Sequence, residues 1–413
     1  MNDAPAFGRR QVLAGLAVAG GALSACRAEV ETEATPADAS PRETAFTPAG
    51  APLSAEQLDD AVLGASYLGC GGGGALAPAR ELIARDLAAG HDFRLLPVGG
   101  LADDDRVACP YALGSTAPQS EEARARLASY AVVEPDYVQR SFSVLQEYIG
   151  TPFSAVIMGE IGPLSLAEGL STAARLGVPS LDADTVGRAV PEINQHSVKV
   201  AGLSLVPASC VSPQGDELVL TKVADPKRPE DIFRSISTVS RTVGVVDSPL
   251  TGEEAKRPGA LVTDSVTLAM RIGAAARAGG IEAAREAGEG YMLFAGTVSG
   301  WDWEDTEGFL LGEVRVDGTG AFAGQTLRVD YKNEFLVARR DGEVVATCPD
   351  LITLIDAESA EGITAPDFAE GQEVVVLGFR CDPIWRTEAG LAVFSPRYFG
   401  FDIDYVPIEE RLG

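Results

Sequence analysis

The chain has 413 residues, 46% of them hydrophobic and 23% charged, which is length and apolar content for two domains with cores of their own. Its net charge of −27 argues against a nucleic acid or an anionic lipid surface as a partner, since either calls for a patch of Lys and Arg. With only His91 and His196, a multi-histidine metal centre is excluded, so any metal must be held mainly by carboxylates, cysteines or water.

The chain opens with two export features in order. Arg9-Arg10 stands directly before an apolar run from Val12 to Leu23, too short for a permanent membrane span, and Leu23-Ser-Ala-Cys26 resembles a bacterial lipobox. Residues 1–26 therefore read as a twin-arginine lipoprotein signal, of the kind that exports folded proteins. Cys26 becomes the lipidated N-terminus, and the lipid is the protein's only hold on a membrane. This places the mature protein on the exported side, periplasmic or cell-surface. Residues 27–52, rich in Ala, Thr, Glu and Pro, bury too little surface to offset ordering entropy and read as a disordered linker.

Order begins at Ser54-Ala-Glu-Gln57, a capping box ahead of a helix that delivers the cluster Gly69-Cys-Gly-Gly-Gly-Gly74. Glycines without Cβ adopt positive φ and let backbone N–H groups converge on an anion or polarised carbonyl, so Gly71, Gly72, Gly73 and Gly74 are candidate substrate-binding residues. A ligand-free turn is the plain alternative. A helix over 78–89, strands over 93–98 and 107–111 and helices over 121–130 and 136–149 follow. The strand 155–158 then ends at Glu160, a helix covers 165–176, and the strand 178–181 ends in Asp182-Ala-Asp184. Strand, helix and strand in alternation predict an α/β domain with a mainly parallel sheet, whose ligand crevice lies at the strands' carboxyl ends. Glu160, Asp182 and Asp184 are thus candidate catalytic carboxylates, although Asp184 reads equally well as a helix cap before Thr185-Val-Gly-Arg188. Beyond His196, strands are expected over 198–206 and 217–223 and helices over 231–240 and 265–278, with loops between those helices marked by Pro249-Leu-Thr-Gly252 and Pro258-Gly259. From Tyr291 the pattern is β-rich, with a hairpin at Arg340-Asp-Gly-Glu343, while Trp301-Asp-Trp303 reads as a loop. The expected domains are 53–288 (α/β) and 289–378 (β-rich), with an aromatic tail, 379–413, packing on the first.

Taken together, several blocks resemble the S-methyl thiohydantoin desulfurase family. They are Gly69 to Gly74, Glu160-Ile-Gly162, Leu176 to Glu192, Leu250-Thr-Gly252, Tyr331-Lys-Asn-Glu-Phe335, Thr347 to Ile352, Trp385-Arg-Thr387 and Pro396 to Asp402, collinear with the family from Leu53 nearly to the C-terminus. The resemblance implies a two-domain hydrolase that removes sulfur from a thiohydantoin or related cyclic ureide. Two blocks depart from the family pattern: Ala75-Leu-Ala77 replaces Asp-Pro-Tyr after the glycine cluster, and Gly162-Pro-Leu164 replaces Gly-Gly-Asn.

Replacing C2 sulfur by oxygen needs an activated water, a stabilised tetrahedral intermediate and a departing thiol. Asp182, Asp184 and Glu160 are the expected bases, and Arg188 is expected to orient substrate unless it forms a structural ion pair. Asp184, His196 and Cys70 are the tentative ligands of one divalent metal, zinc by preference. The partner is a small-molecule substrate. The sequence leaves a homo-oligomer open, as it does a non-catalytic lipoprotein of the same fold that binds a related small molecule, and it leaves one disulfide among the cysteines undecided.

Overall fold

The computed structural model describes residues 52–114, 120–306 and 308–412. The signal with Cys26, and all but the last residue of the linker, lie outside them.

Eight strands form the first sheet: β1 (Leu95–Leu96), β2 (Arg106–Gly114), β3 (Ala155–Met158), β4 (Ser180–Asp184), β5 (Ala208–Val211), β6 (Glu217–Leu220), β7 (Thr242–Thr251) and β8 (Val262–Thr263). Their order is β1-β4-β3-β2-β7-β5-β6, with β8 beside β4. The β1-β4-β3-β2 run is parallel, and β7, β5, β6 and β8 pair antiparallel. Every residue of β3 and β4 is buried, as expected of parallel strands covered on both faces. The helices in chain order are α1 (Ala55–Leu68), α2 (Leu76–Ala88), α3 (Glu121–Ala128), α4 (Tyr137–Ile149), α5 (Pro163–Leu176), α6 (Ser197–Val200), α7 (Arg228–Ser240), α8 (Gly252–Ala255) and α9 (Ser265–Ala287). The Ser54 capping box starts α1 as the sequence predicts, with Ser54 Oγ accepting from the Gln57 N–H and Gln57 Oε1 from the Ser54 N–H.

A second, wholly antiparallel sheet follows: β9 (Tyr291–Thr306), β10 (Phe309–Gly318), β11 (Thr326–Lys332), β12 (Glu334–Arg340), β13 (Glu343–Thr347), β14 (Leu351–Asp356) and β15 (Glu373–Phe379), in the order β13-β12-β11-β10-β9-β15-β14. The expected class, an α/β part with a β-rich part, is the observed one. The tail adds α10 (Glu388–Val393) and α11 (Ile408–Leu412) and returns to the first part, where the Trp385 indole donates to Val186 O at 2.6 Å. Apolar residues of α1, α5 and α9 share one core with Leu336, Leu377 and Trp385, so the two sheets are joined by packing as well as by the chain.

Three local expectations are corrected. The strand expected over 198–206 is the short helix α6 and a loop, and the strand begins at Ala208. Pro249, Leu250 and Thr251, expected in a loop, end β7, which lies between β2 and β5 inside the sheet. Val243, Val245 and Val246 drive its burial, while Gly244 admits the α4 backbone, since a Cβ there would lie 2.5 Å from Tyr137 O. Trp301-Asp-Trp303 is strand, paired with β10.

Candidate functional site

The glycine loop is built by contacts on three sides. Cys70, Gly71, Gly73 and Gly74 all take positive φ, 51°, 83°, 68° and 75°. Cys70 O accepts from Phe335 N (2.7 Å) and Gly71 O from Ala365 N (2.9 Å), which ties the loop to the second sheet. Gly73 O accepts from the Leu164 and Ser165 N–H groups at 2.9 and 3.1 Å, so a loop carbonyl occupies the N-terminus of α5. The loop N–H groups of Cys70, Gly71, Gly73 and Gly74 have no acceptor among the described residues, and of these four residues Gly73 and Gly74 line a cleft of about 250 Å³.

That cleft opens at the carboxyl ends of β2 and β3. Its walls are Tyr111 to Gly114, Glu160, Glu168 on α5, Val190 to Ile193, His196, Arg234 on α7 and the β11–β12 turn with Glu334. Glu160 is held from both oxygens, Oε1 by the Ser165 hydroxyl (2.8 Å) and Oε2 by the Val190 N–H (2.9 Å), yet burial raises its pKa. Glu168 is pushed up to about 7, first by burial and further by the charge of Glu160. Burial also drives Glu334 well above the carboxylate range, with Glu160 adding to it. At Glu192 burial is outweighed by Lys332 (2.6 Å) and the Tyr398 hydroxyl (2.5 Å), which keep the carboxylate ionised. Arg234 braces two walls: Nε donates to Glu230 (2.8 Å), Nη1 to Gly114 O and Nη2 to Pro191 O, while Glu230 accepts from Ile193 N.

His196 lines the same cleft beside a buried acid. Its Nδ1 lies 3.6 Å from Asp247 Oδ2, and Tyr111 donates to that oxygen at 2.7 Å and packs edge-on against the imidazole. Burial lowers the His196 pKa against the pull of Asp247, so the ring is neutral at physiological pH.

Of the candidates read from the sequence, the cleft brings together Gly73, Gly74, Glu160 and His196. Asp182 lies off it and caps α9, accepting from the Thr267 N–H (2.9 Å) and hydroxyl (2.5 Å). Asp184 is fully buried, with Oδ2 accepting from Val186 N (2.9 Å) and Gly187 N (2.6 Å); residues 185–188 are a turn and not the helix expected there, so it caps a turn rather than a helix. Arg188 forms no ion pair among the described residues; its guanidinium donates to Ala189 O, Asp350 O and Phe335 O and lies over the Phe394 ring. Gly71 lies against the Phe335 ring and Gly72 beneath Glu334. Cys70 is buried, donates to Leu68 O, and its thiol is pushed up to about 11 by burial. Among the described residues no three His, Cys, Asp or Glu side chains converge as a metal site, so Asp184, His196 and Cys70 do not fit the expected zinc. The five cysteines of the described residues are all unpaired.

Glu168, Glu334, Tyr111 and Asp247 escaped the sequence reading. Glu168 is one polar residue in an amphipathic helix, and nothing in its spacing separates it from a solvated position. Glu334 stood inside the Tyr331 to Phe335 block, which was the one signal available. Asp247 lies in β7, a strand the sequence pattern did not reveal.

Comparison with known proteins adds three findings. The description S-Me-THD-like, N-terminal domain, matches residues 56–222, and S-Me-THD-like, C-terminal domain, matches residues 224–408. A crystal structure of a protein from Chromobacterium violaceum is similar at a TM-score of 0.68 and 22% identity, covering 87% of this chain and 100% of that one, a likeness that establishes the fold alone. No curated protein matches the sequence. With both family domains matched in order along nearly all of the described chain, this protein belongs to the S-Me-THD-like family.

Proposed function

We propose that the protein is an exported, Cys26-anchored hydrolase of a cyclic ureide or thioureide of the thiohydantoin class, replacing sulfur at ring C2 by oxygen. The observation that carries this reading is one cavity lined by Glu168, a carboxyl poised near neutrality, and by Gly73 and Gly74, whose N–H groups have no acceptor among the described residues. Water gives a proton to Glu168 as its oxygen bonds to C2 of a 2-methylthio ring. The C2=N electron pair moves to the ring nitrogen, and the loop N–H groups stabilise the charge that develops. Collapse breaks the C2–S bond, methanethiolate takes the proton from Glu168, and the remaining hydroxyl proton passes to the ring nitrogen, leaving C2=O and methanethiol. Burial keeps the Glu168 carboxyl protonatable near pH 7, and Glu160, held by Ser165 and Val190, adds to it.

The test is methanethiol release from an S-methyl thiohydantoin by the full chain. We expect kcat/KM to climb as pH rises through about 7, because Glu168 must be ionised to accept the proton. Glu168→Gln should lower kcat by about 10²- to 10⁴-fold while leaving the thermal transition in place. No thiol from the wild-type protein, with or without added zinc, would overturn the reading and favour a non-catalytic small-molecule-binding lipoprotein.

A further inference from the structure

Glu334 sits where β11 reverses into β12 around Asn333, whose φ of 58° makes the turn tight. The Phe335 N–H on Cys70 O pins this turn to the glycine loop. A Cβ at Gly72 would lie 1.9 Å from Glu334 Oε1, so the bare Cα there is what lets the carboxyl lie over the loop. Glu334 is only 4% exposed, lines the cleft, and its Oε2 is enclosed without a hydrogen-bond partner. A buried acceptor left open in a native fold calls for a donor from outside the chain. The cleft as a whole is acid-rich, with Glu160, Glu168, Glu192 and Glu334 set against Arg234 and Arg241, and all three Arg234 nitrogens are engaged by the protein. A ligand carrying a carboxylate would meet the ionised Glu192 there and bring a fifth acid into a cleft that already holds four.

Resting on the function proposed above, we propose that Glu334 is the residue that reads the substrate. Its carboxyl accepts a ring N–H of an uncharged cyclic ureide or thioureide, and the cleft rejects ring-opened carbamoyl acids because they bring a carboxylate. This is recognition at the second sheet's edge, separate from the water chemistry assigned to Glu168.

Calorimetric titration of the full chain with hydantoin tests it, because hydantoin has the ring and its N–H groups but no sulfur to lose. 1,3-Dimethylhydantoin, which lacks both N–H groups, and N-carbamoylglycine, the ring-opened acid, should each bind wild type at least about tenfold more weakly than hydantoin. Glu334→Gln, whose amide oxygen still accepts, should hold hydantoin within about threefold, whereas Glu334→Ala should lose about tenfold or more for hydantoin and nothing for the dimethyl ring. The inference is overturned if wild type fails to bind hydantoin, if either control binds as tightly, or if Glu334→Ala binds hydantoin unchanged. The wild-type ligand series decides the matter even if a variant does not fold. Thiol release separates the two claims: the expected binding pattern without release removes the hydrolase reading and keeps the inference, and release without the pattern does the reverse.

Discussion

Asp184 shows at the level of one side chain how position in the fold, rather than residue type, sets chemistry. It sits at the end of a central strand, as the spacing implied, but its Oδ2 turns inward to cap Val186 and Gly187, and Oδ1 is enclosed without a partner. Burial pushes its pKa up to about 7, so the folded state holds a proton that the unfolded chain releases near pH 4. Stability from this group is therefore fully present below about pH 4, declines as pH rises, and is lost above about 7. Asp184→Asn removes that decline. We expect the variant to fold and to gain on wild type in melts taken from pH 5 to pH 8, by on the order of 1–4 kcal/mol at the alkaline end. Equal pH profiles for the two proteins would show that Asp184 is ionised in the fold. Legibility at this scale was partial. Carboxylates at strand ends could be read from chain order, but which of them faces the cleft depends on backbone direction after the strand, and that is decided by Gly187 and the α9 cap.

Among the elements, α1 and α9 are the closest pair. A Cβ on Gly64 would lie 1.7 Å from Ala269 O, and one on Gly273 would lie 1.9 Å from Asp60 O, so the two backbones touch where their glycines face each other. Because α1 runs directly into the glycine loop, their separation would displace that loop as well. Gly64→Ala should cost about 1–3 kcal/mol in chemical denaturation and weaken hydantoin binding in the molecules that remain folded. An unchanged midpoint would mean that the helices can part without loss. The capping box of α1 and the Asp341-Gly342 turn of the second sheet were both legible, because each is a local device with its own residue signature. The strand β7 was not. Pro249, inside it at a register shift, and Gly252, just after it, read as turn residues and obscured an apolar run whose burial comes from β2 and β5, both distant in sequence. Short apolar runs of this kind carry no period of their own to identify them.

For the molecule as a whole, the family boundary and the sheet boundary do not coincide. The matched N-terminal domain ends at residue 222 and contains β1 to β6, but β7, which joins β2 to β5, comes from the C-terminal one. A 56–222 fragment therefore presents two unpaired interior edges, and Arg188 in it lacks the Phe335 and Asp350 carbonyls. We expect that fragment to be unfolded or aggregated and the intact chain to unfold in a single calorimetric transition. A soluble fragment with native-like dichroism would contradict this. The same wiring bears on how the protein is made. Residues leave the ribosome in order, so the gap between β2 and β5 stays open until Thr251 has emerged, and the Arg188 cation waits a further hundred residues or so for its last acceptors. Native structure can then form only near the end of synthesis. A polypeptide built this way has no half-folded form to offer a translocation machine, so the export proposed above would carry it either as a bare thread or as a finished body.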